Sequence, residues 1–244
     1  MAETNEPQSG AAKSGGDPRV RIIDALLALA AEQPFEDISI SAIAEKAGVS
    51  LADFRDAFPS KGAALAGFSR RIDRIVLEKK SDDLAGEEAK ERLFDVLMRR
   101  LDAMAPYKEG LQGVARWLRH EPLAAVAVNQ VAVNSMRFML EAAGIESEGA
   151  VGAFKLQGLV FAWARVLDVW FDDNEPDLAK TMATLDRELT RGGKIVARAE
   201  RLSRLAAPLR AFGRAAFESR RSARDAFRDR RRRDHEDDER AHRL

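Results

Sequence analysis

Pro34 and Pro59 bracket a stretch in which no long helix fits. Each removes a backbone donor and clashes with the preceding turn, so each ends a helix that approaches it. Between them Gly48 offers the left-handed conformation that a helix C-terminus favours. The stretch therefore divides into two short segments. Ser39 can cap the first, which runs to about Ala47 with Ile40, Ile43 and Ala44 facing inward. Ser50 can cap the second, Leu51 to Phe58, and Ser50 with Asp53 fits the Ser-x-x-Asp capping pattern. Val49 fills the inside of the turn between them.

Helices this short need a supporting helix. Upstream, Arg19 to Gln33 carries Val20, Ile23, Leu26, Leu27 and Ala30 at spacings of three and four, the mark of an amphipathic helix that Pro34 stops. Phe35 and Ile38 anchor the connection. Downstream, Ser60 caps a fourth helix from Lys61 to about Lys80. Two short helices joined by a glycine-containing turn, with a supporting helix before them, make a helix-turn-helix.

The stretch Ile43-Ala44-Glu45-Lys46-Ala47-Gly48-Val49-Ser50, followed by Phe54, Phe58, Pro59, Ser60 and Lys61, resembles the signature of the TetR family of transcriptional regulators. Asp24 to Glu32 is similar to that family's first helix. The likeness covers about 60 residues, a quarter of the chain. It implies an all-α protein: a DNA-binding head, then a helical body that holds a ligand and forms a homodimer. On that basis the chain divides into a disordered leader (1–18), a head (19–80), a ligand-binding and dimerisation body (81–199) and a basic tail (200–244).

In a helix-turn-helix the second helix enters the major groove. The residues expected to contact an operator are Ser39, Ser50, Leu51, Ala52, Asp53, Arg55, Asp56 and Lys61. Arg55 suits phosphate or guanine, Lys61 suits phosphate, and Asp56 can accept from a cytosine amine. The set departs from the family pattern. Leu51 is apolar where a basic or small polar residue is usual, Arg55 stands in place of a tyrosine, and Asp56 and Ala57 replace aromatics. From Ser39 to Lys61 the charges cancel: Lys46, Arg55 and Lys61 against Glu45, Asp53 and Asp56.

From Glu87 to Ala199 the sequence reads as helices with breaks near Ala105-Pro106, Glu121-Pro122, Gly144 to Gly149, Asp172 to Pro176 and Gly192-Gly193. Trp117, Met136, Phe138, Met139, Phe161 and Trp163 are the candidate walls of a small apolar ligand's pocket, since Met and aromatic side chains suit an adaptable cavity. An ordinary bundle core would use the same residues. The resemblance assigns the dimer contact to segments 151–171 and 177–199. The chain has no Cys and three His, of which His235 and His242 lie in a charged tail and His120 serves as a helix cap. No catalytic constellation, metal site or cofactor is therefore expected. No apolar run reaches the roughly 18 residues that span a bilayer, and a cytoplasmic protein is expected.

Net charge is zero but uneven. From Arg198 to Arg233 there are 13 Arg against Glu200, Glu218, Asp225 and Asp229, giving +9. Leu202, Leu205, Leu209, Phe212, Ala216 and Phe227 share one helical side, flanked by Arg210, Arg214, Arg221 and Arg224. Such a helix over 201–227 suits a membrane surface, a partner or DNA, and a solvated tail is the plainer alternative. A second resemblance bears on it. Arg92 to Asp102, Pro106-Tyr107, Trp170 to Asp177 and Leu185-Asp186-Arg187 are similar to the TetR-fold lipid-binding accessory proteins of ubiquinone biosynthesis. That likeness implies an isoprenoid cavity and a membrane-binding C-terminal helix instead of gene regulation.

Overall fold

The computed structural model describes residues 16–78, 86–198 and 201, and the described residues are helices and connections. Helix α1 (Pro18–Glu32) begins with proline in its first turn, under an Asp17 carboxylate that accepts from the Arg19 amide at 2.9 Å. Helix α2 (Ile40–Ala47) is capped by Ser39 and ends at Gly48, whose φ of 60° is the left-handed value the turn needs. Helix α3 (Leu51–Ala57) carries a full capping box between Ser50 and Asp53, and Phe58 follows it as an extended residue. Helix α4 (Lys61–Glu78) starts under Ser60, whose Oγ accepts from the Ala63 amide. The body follows with α5 (Ala89–Met104), α6 (Lys108–Leu118), α7 (Pro122–Ala142), α8 (Gly149–Asp172) and α9 over residues 179–198.

The expected breaks fall where proline, left-handed glycine or a cap acts. Ala105–Tyr107 forms a short 3-10 turn, Pro122 opens α7, and Gly144 and Gly149 have φ of 67° and 72°. Gly192-Gly193 is the exception. The helix runs straight through both, because a helical glycine costs only about 1 kcal/mol and its neighbours here are good helix formers. Ile40 also departs from expectation. It is largely exposed, since Ile43, Ala44 and Ala47 already fill the side of α2 that faces the core.

Head and body share one continuous apolar core. Ile22, Leu26, Phe35, Ile43, Phe54, Phe58 and Ile72 fill the head part, and Leu97, Leu101, Met136, Met139, Val166 and Trp170 the body part. Helix α6 approaches α1 at backbone distance. A Cβ on Gly110 would lie 2.2 Å from the Leu27 carbonyl oxygen, and one on Gly113 would lie 2.1 Å from that of Ala30. Only glycine permits that approach. The residues up to Gly193 make one compact unit. Those from Lys194 onward make another, of which residues 194–198 and 201 are described, as helix. The expected tail helix over 201–227 and the leader 1–15 lie outside the described residues.

Counting apolar runs misses one property of the body. By length and mean hydropathy, 1.2 for α7 and 1.3 for α8, both helices are able to cross a bilayer. Asn129, Gln130 and Asn134 interrupt the run in α7 without lowering its mean far. Nine of the 24 residues of α8 and four of the 21 of α7 are buried against the rest of the body.

Candidate nucleic-acid interface and its link to the body

The outward face of α3 is built by its cap. Ser50 Oγ accepts from the Asp53 amide at 3.0 Å, and Asp53 Oδ2 accepts from the Ser50 amide at 3.1 Å and from its hydroxyl at 2.7 Å. Phe54 and Phe58 drive the other side of the helix into the core. Leu51 (56% exposed), Ala52, Asp53, Arg55 and Asp56 consequently share the solvent side. Ser39 caps α2 through a 3.0 Å bond from the Ala42 amide. The structure thus brings the expected α3 residues onto one face, with Asp53 held as a cap.

Lys61 is placed differently. Its ammonium donates to the carbonyl oxygens of Phe35 at 2.9 Å and Ile38 at 2.7 Å, and it lies 4.9 Å from the centre of the Phe35 ring. Desolvation lowers its pKa below the ordinary 10.5, against the upward pull of Glu36 and Asp37. This lysine ties α4 to the turn before α2 and does not present its charge to a phosphate.

Other cations of the head also have partners, some of them in surface ion pairs. Arg21 donates to the carbonyls of Ala47 and Gly48, and Arg19 stacks on Phe58. Lys46 pairs with Glu32 at 2.7 Å and Arg74 with Glu78 at 2.9 Å. Arg71 pairs with Asp24 at 2.7 Å, and both bond Tyr107 Oη. Arg55 and Arg70 are the cations whose side chains have no hydrogen bond, ion pair or ring contact among the described head residues. Over residues 16–78 eight Lys and Arg face ten Asp and Glu.

Among the described residues, two side-chain networks join head to body, besides the bond from Arg99 of α5 to the Val76 carbonyl at 3.4 Å. Tyr107, in the turn between α5 and α6, joins Asp24 of α1 and Arg71 of α4, and Lys108 beside it donates to the Asp173 carbonyl at 2.7 Å. Deeper, Asp73 of α4 forms a buried ion pair with Arg100 of α5 and accepts from Ser135 of α7 at 2.6 Å. The Arg100 guanidinium also lies 5.8 Å from the Trp163 ring centre, and its Nε has no hydrogen-bond partner. Sequence reading missed Asp73, Arg100 and Tyr107. The available signal was Arg100 itself, seven residues after Leu93 and three after Leu97, on the helix stripe that faces inward.

The candidate pocket residues do not converge on one cavity. Met136, Met139 and Trp163 are packed in the core, Trp163 with its ring beside the Arg100 guanidinium. Phe138 (52% exposed) and Phe161 (61% exposed) point outward, because their helix positions lie opposite the buried stripes of α7 and α8. Trp117 packs on Phe35 with ring centres 4.5 Å apart and lines a cleft at the α1–α6 junction, together with His120.

Residues 22–66 match the family model for bacterial regulatory proteins of the tetR family. Over these residues the head is similar to the N-terminal domain of that family. The fold extends the likeness past it. A TetR transcriptional regulator from Nitrosomonas europaea superimposes with a TM-score of 0.58 at 21% identity, over 73% of this chain and 99% of that one. A second TetR regulator, from Rhodococcus sp. RHA1, gives 0.51 at 20% identity, over 72% and 94%. No curated protein sequence matches the chain. The TetR head and the body behind it therefore form a TetR-like fold, with an α3 face that is acidic and apolar where phosphate contact calls for positive charge.

Proposed function

We propose that this protein is a DNA-binding transcriptional regulator of the TetR type, a repressor released by a small apolar ligand. The observation that carries the reading is the capped, outward-facing α3 within a helix-turn-helix that matches the family model. Arg55 is its contact to phosphate or guanine, and Asp56 accepts from a cytosine amine. The protein acts as a homodimer through α8 and α9, in line with the two-fold symmetry of helix-turn-helix readers. Phe154 and Phe161, seven residues apart on the open side of α8, support that contact. It works in the cytoplasm, by binding and without catalysis. The test is footprinting of the full chain on its own upstream DNA at low salt. A protected operator that Arg55→Gln weakens is the expected result, and no protection at any upstream site rejects the reading.

A second reading has specific support. Leu123 (87% exposed), Val126, Phe138, Phe154 and Phe161 expose apolar surface on α7 and α8, and few head cations are available to phosphate. Both features fit a TetR-fold lipid-binding accessory protein of ubiquinone biosynthesis that meets a membrane through residues 201–227. Co-sedimentation with anionic liposomes, lost on deletion of residues 201–244, supports it. Sedimentation unchanged by the deletion rejects the tail's part in it.

A further inference from the structure

Between the end of α1, the Phe35–Asp37 turn and one face of α6 lies a cleft of about 400 Å³ that DNA reading does not use. Its size is at the small end of ligand sites. Its floor is aromatic and fixed: Trp117 packs on Phe35, and the Phe35 ring is held from another side by the Lys61 ammonium. Of the two carboxylates that line the cleft, Glu32 is paired with Lys46 at 2.7 Å, and Glu36 lies near the Lys61 charge, which it shares with Asp37. The opposite rim carries Arg116 and His120, whose side chains have no partner among the described residues.

A flat apolar floor beside an unpartnered guanidinium suits one ligand chemistry. The ring of a planar acid covers Trp117 while its carboxylate meets the two-pronged donor set of an arginine. We propose that this cleft is a binding site for small aromatic carboxylates, with Arg116 as the anion contact, Trp117 as the ring contact and His120 as a second donor. The site is separate from the body interior, where Met136, Met139 and Trp163 are packed as core. Its occupancy does not depend on the regulator reading. A ligand there touches both the turn that leads into α2 and the helix α6 that is pressed against α1.

The test uses the full chain without DNA, with 2-naphthoate as probe and 2-naphthylmethylamine as its cationic counterpart, followed by saturation-transfer NMR and calorimetry. The expected result is saturable binding of naphthoate at about millimolar affinity, as befits a small ligand on a half-open site. The amine should show no saturable binding. Arg116→Gln, at an exposed position, should fold normally and weaken naphthoate about tenfold, the loss of one charge-assisted contact. Trp117→Phe should keep the affinity closer to wild type than Trp117→Ala. Absence of saturable binding, equal binding of the amine, or an affinity unchanged by Arg116→Gln overturns the proposal.

Discussion

Gly113→Ala tests whether α6 and α1 really meet at backbone distance. The added Cβ would lie 2.1 Å from the Ala30 carbonyl oxygen and 3.1 Å from its carbon. A carbon needs about 3.3 Å from such an oxygen, so α6 must retreat by about 1 Å. The obstacle is backbone, and no side-chain rotation relieves it. Overpacking costs about 1–3 kcal/mol, and an obstacle that only backbone movement relieves falls at the upper end, about 2–3 kcal/mol, while alanine gains about 1 kcal/mol over glycine in a helix. The net loss expected is about 1–2 kcal/mol, or a Tm lower by about 2–8 °C in a chain of this size. Gly110→Ala meets the Leu27 carbonyl in the same way. One retreat of α6 relieves both clashes, so the double variant should be little worse than Gly113→Ala alone. Gly62→Ala is the control, since its Cβ meets only Ser60 Oγ at 3.8 Å. It should raise Tm slightly, by the propensity gain. Thermal unfolding followed by circular dichroism decides it. A Gly113→Ala protein as stable as wild type, or stabilised like Gly62→Ala, refutes the close-approach argument.

Other perturbations test the links around the head. Lys61→Met keeps the stem on Phe35 but leaves the Phe35 and Ile38 carbonyls without their charged donor, and urea unfolding should show a loss of about 1.5–3 kcal/mol. Asp73→Asn strands the buried Arg100 charge and should cost about 3–5 kcal/mol, whereas the double change Asp73→Leu with Arg100→Met should recover much of that in the same assay. Asp173 accepts from the Thr181 hydroxyl at 2.7 Å and from its amide at 2.9 Å, and the hydroxyl bond is the largest cause holding its pKa below the ordinary 3.8. A depressed carboxylate pKa gives stability that is complete above 3.8 and lost as pH falls through the folded-state value. Asp173→Asn should therefore be less stable than wild type at neutral pH, with the gap closing in acid unfolding below pH 3.8.

The head was legible because its signals are local. Ser39, Ser50, Gly48, Pro34 and Pro59 each act on backbone within a few residues, so spacing alone located α1 to α4 nearly to the residue. The body's helices were legible for the same reason. What their side chains touch was not. Phe138, Phe161, Met136 and Trp163 are alike in sequence as bulky apolar residues on apolar helices. Their division into outward and buried depends on which stripe meets a neighbouring helix, a long-range property. Lys61 shows the same limit on the polar side. A lysine at a helix start after a recognition helix reads as a phosphate contact, and only the Phe35–Asp37 turn folding back beneath it supplies the carbonyls that take its charge.

The inward engagement of Lys61 gives the proposed DNA binding a quantitative form. Each phosphate neutralised contributes about −0.9 to the slope of log Kobs against log salt. Arg55 and Arg70, the unpartnered cations of the head, supply a slope of about −1.8 per head and about −3.6 for a two-headed dimer, before any exposed pair such as Arg74–Glu78 opens to phosphate. That is shallow for a specific DNA reader, and it makes base contacts by α3 carry much of the affinity. The measurement is a salt titration of operator binding by the full chain. A slope within about −4 agrees with the head as folded here. A steeper slope refutes the two-cation count, and the excess then comes either from exposed head pairs such as Arg74–Glu78 and Lys46–Glu32 or from the 13 Arg between Arg198 and Arg233. Arg230 to Arg233, four in a row, then become the first positions to neutralise, since removing them should flatten the slope by up to about 3.6 per chain, or about 7.2 for the dimer, while leaving the α3 residues unchanged.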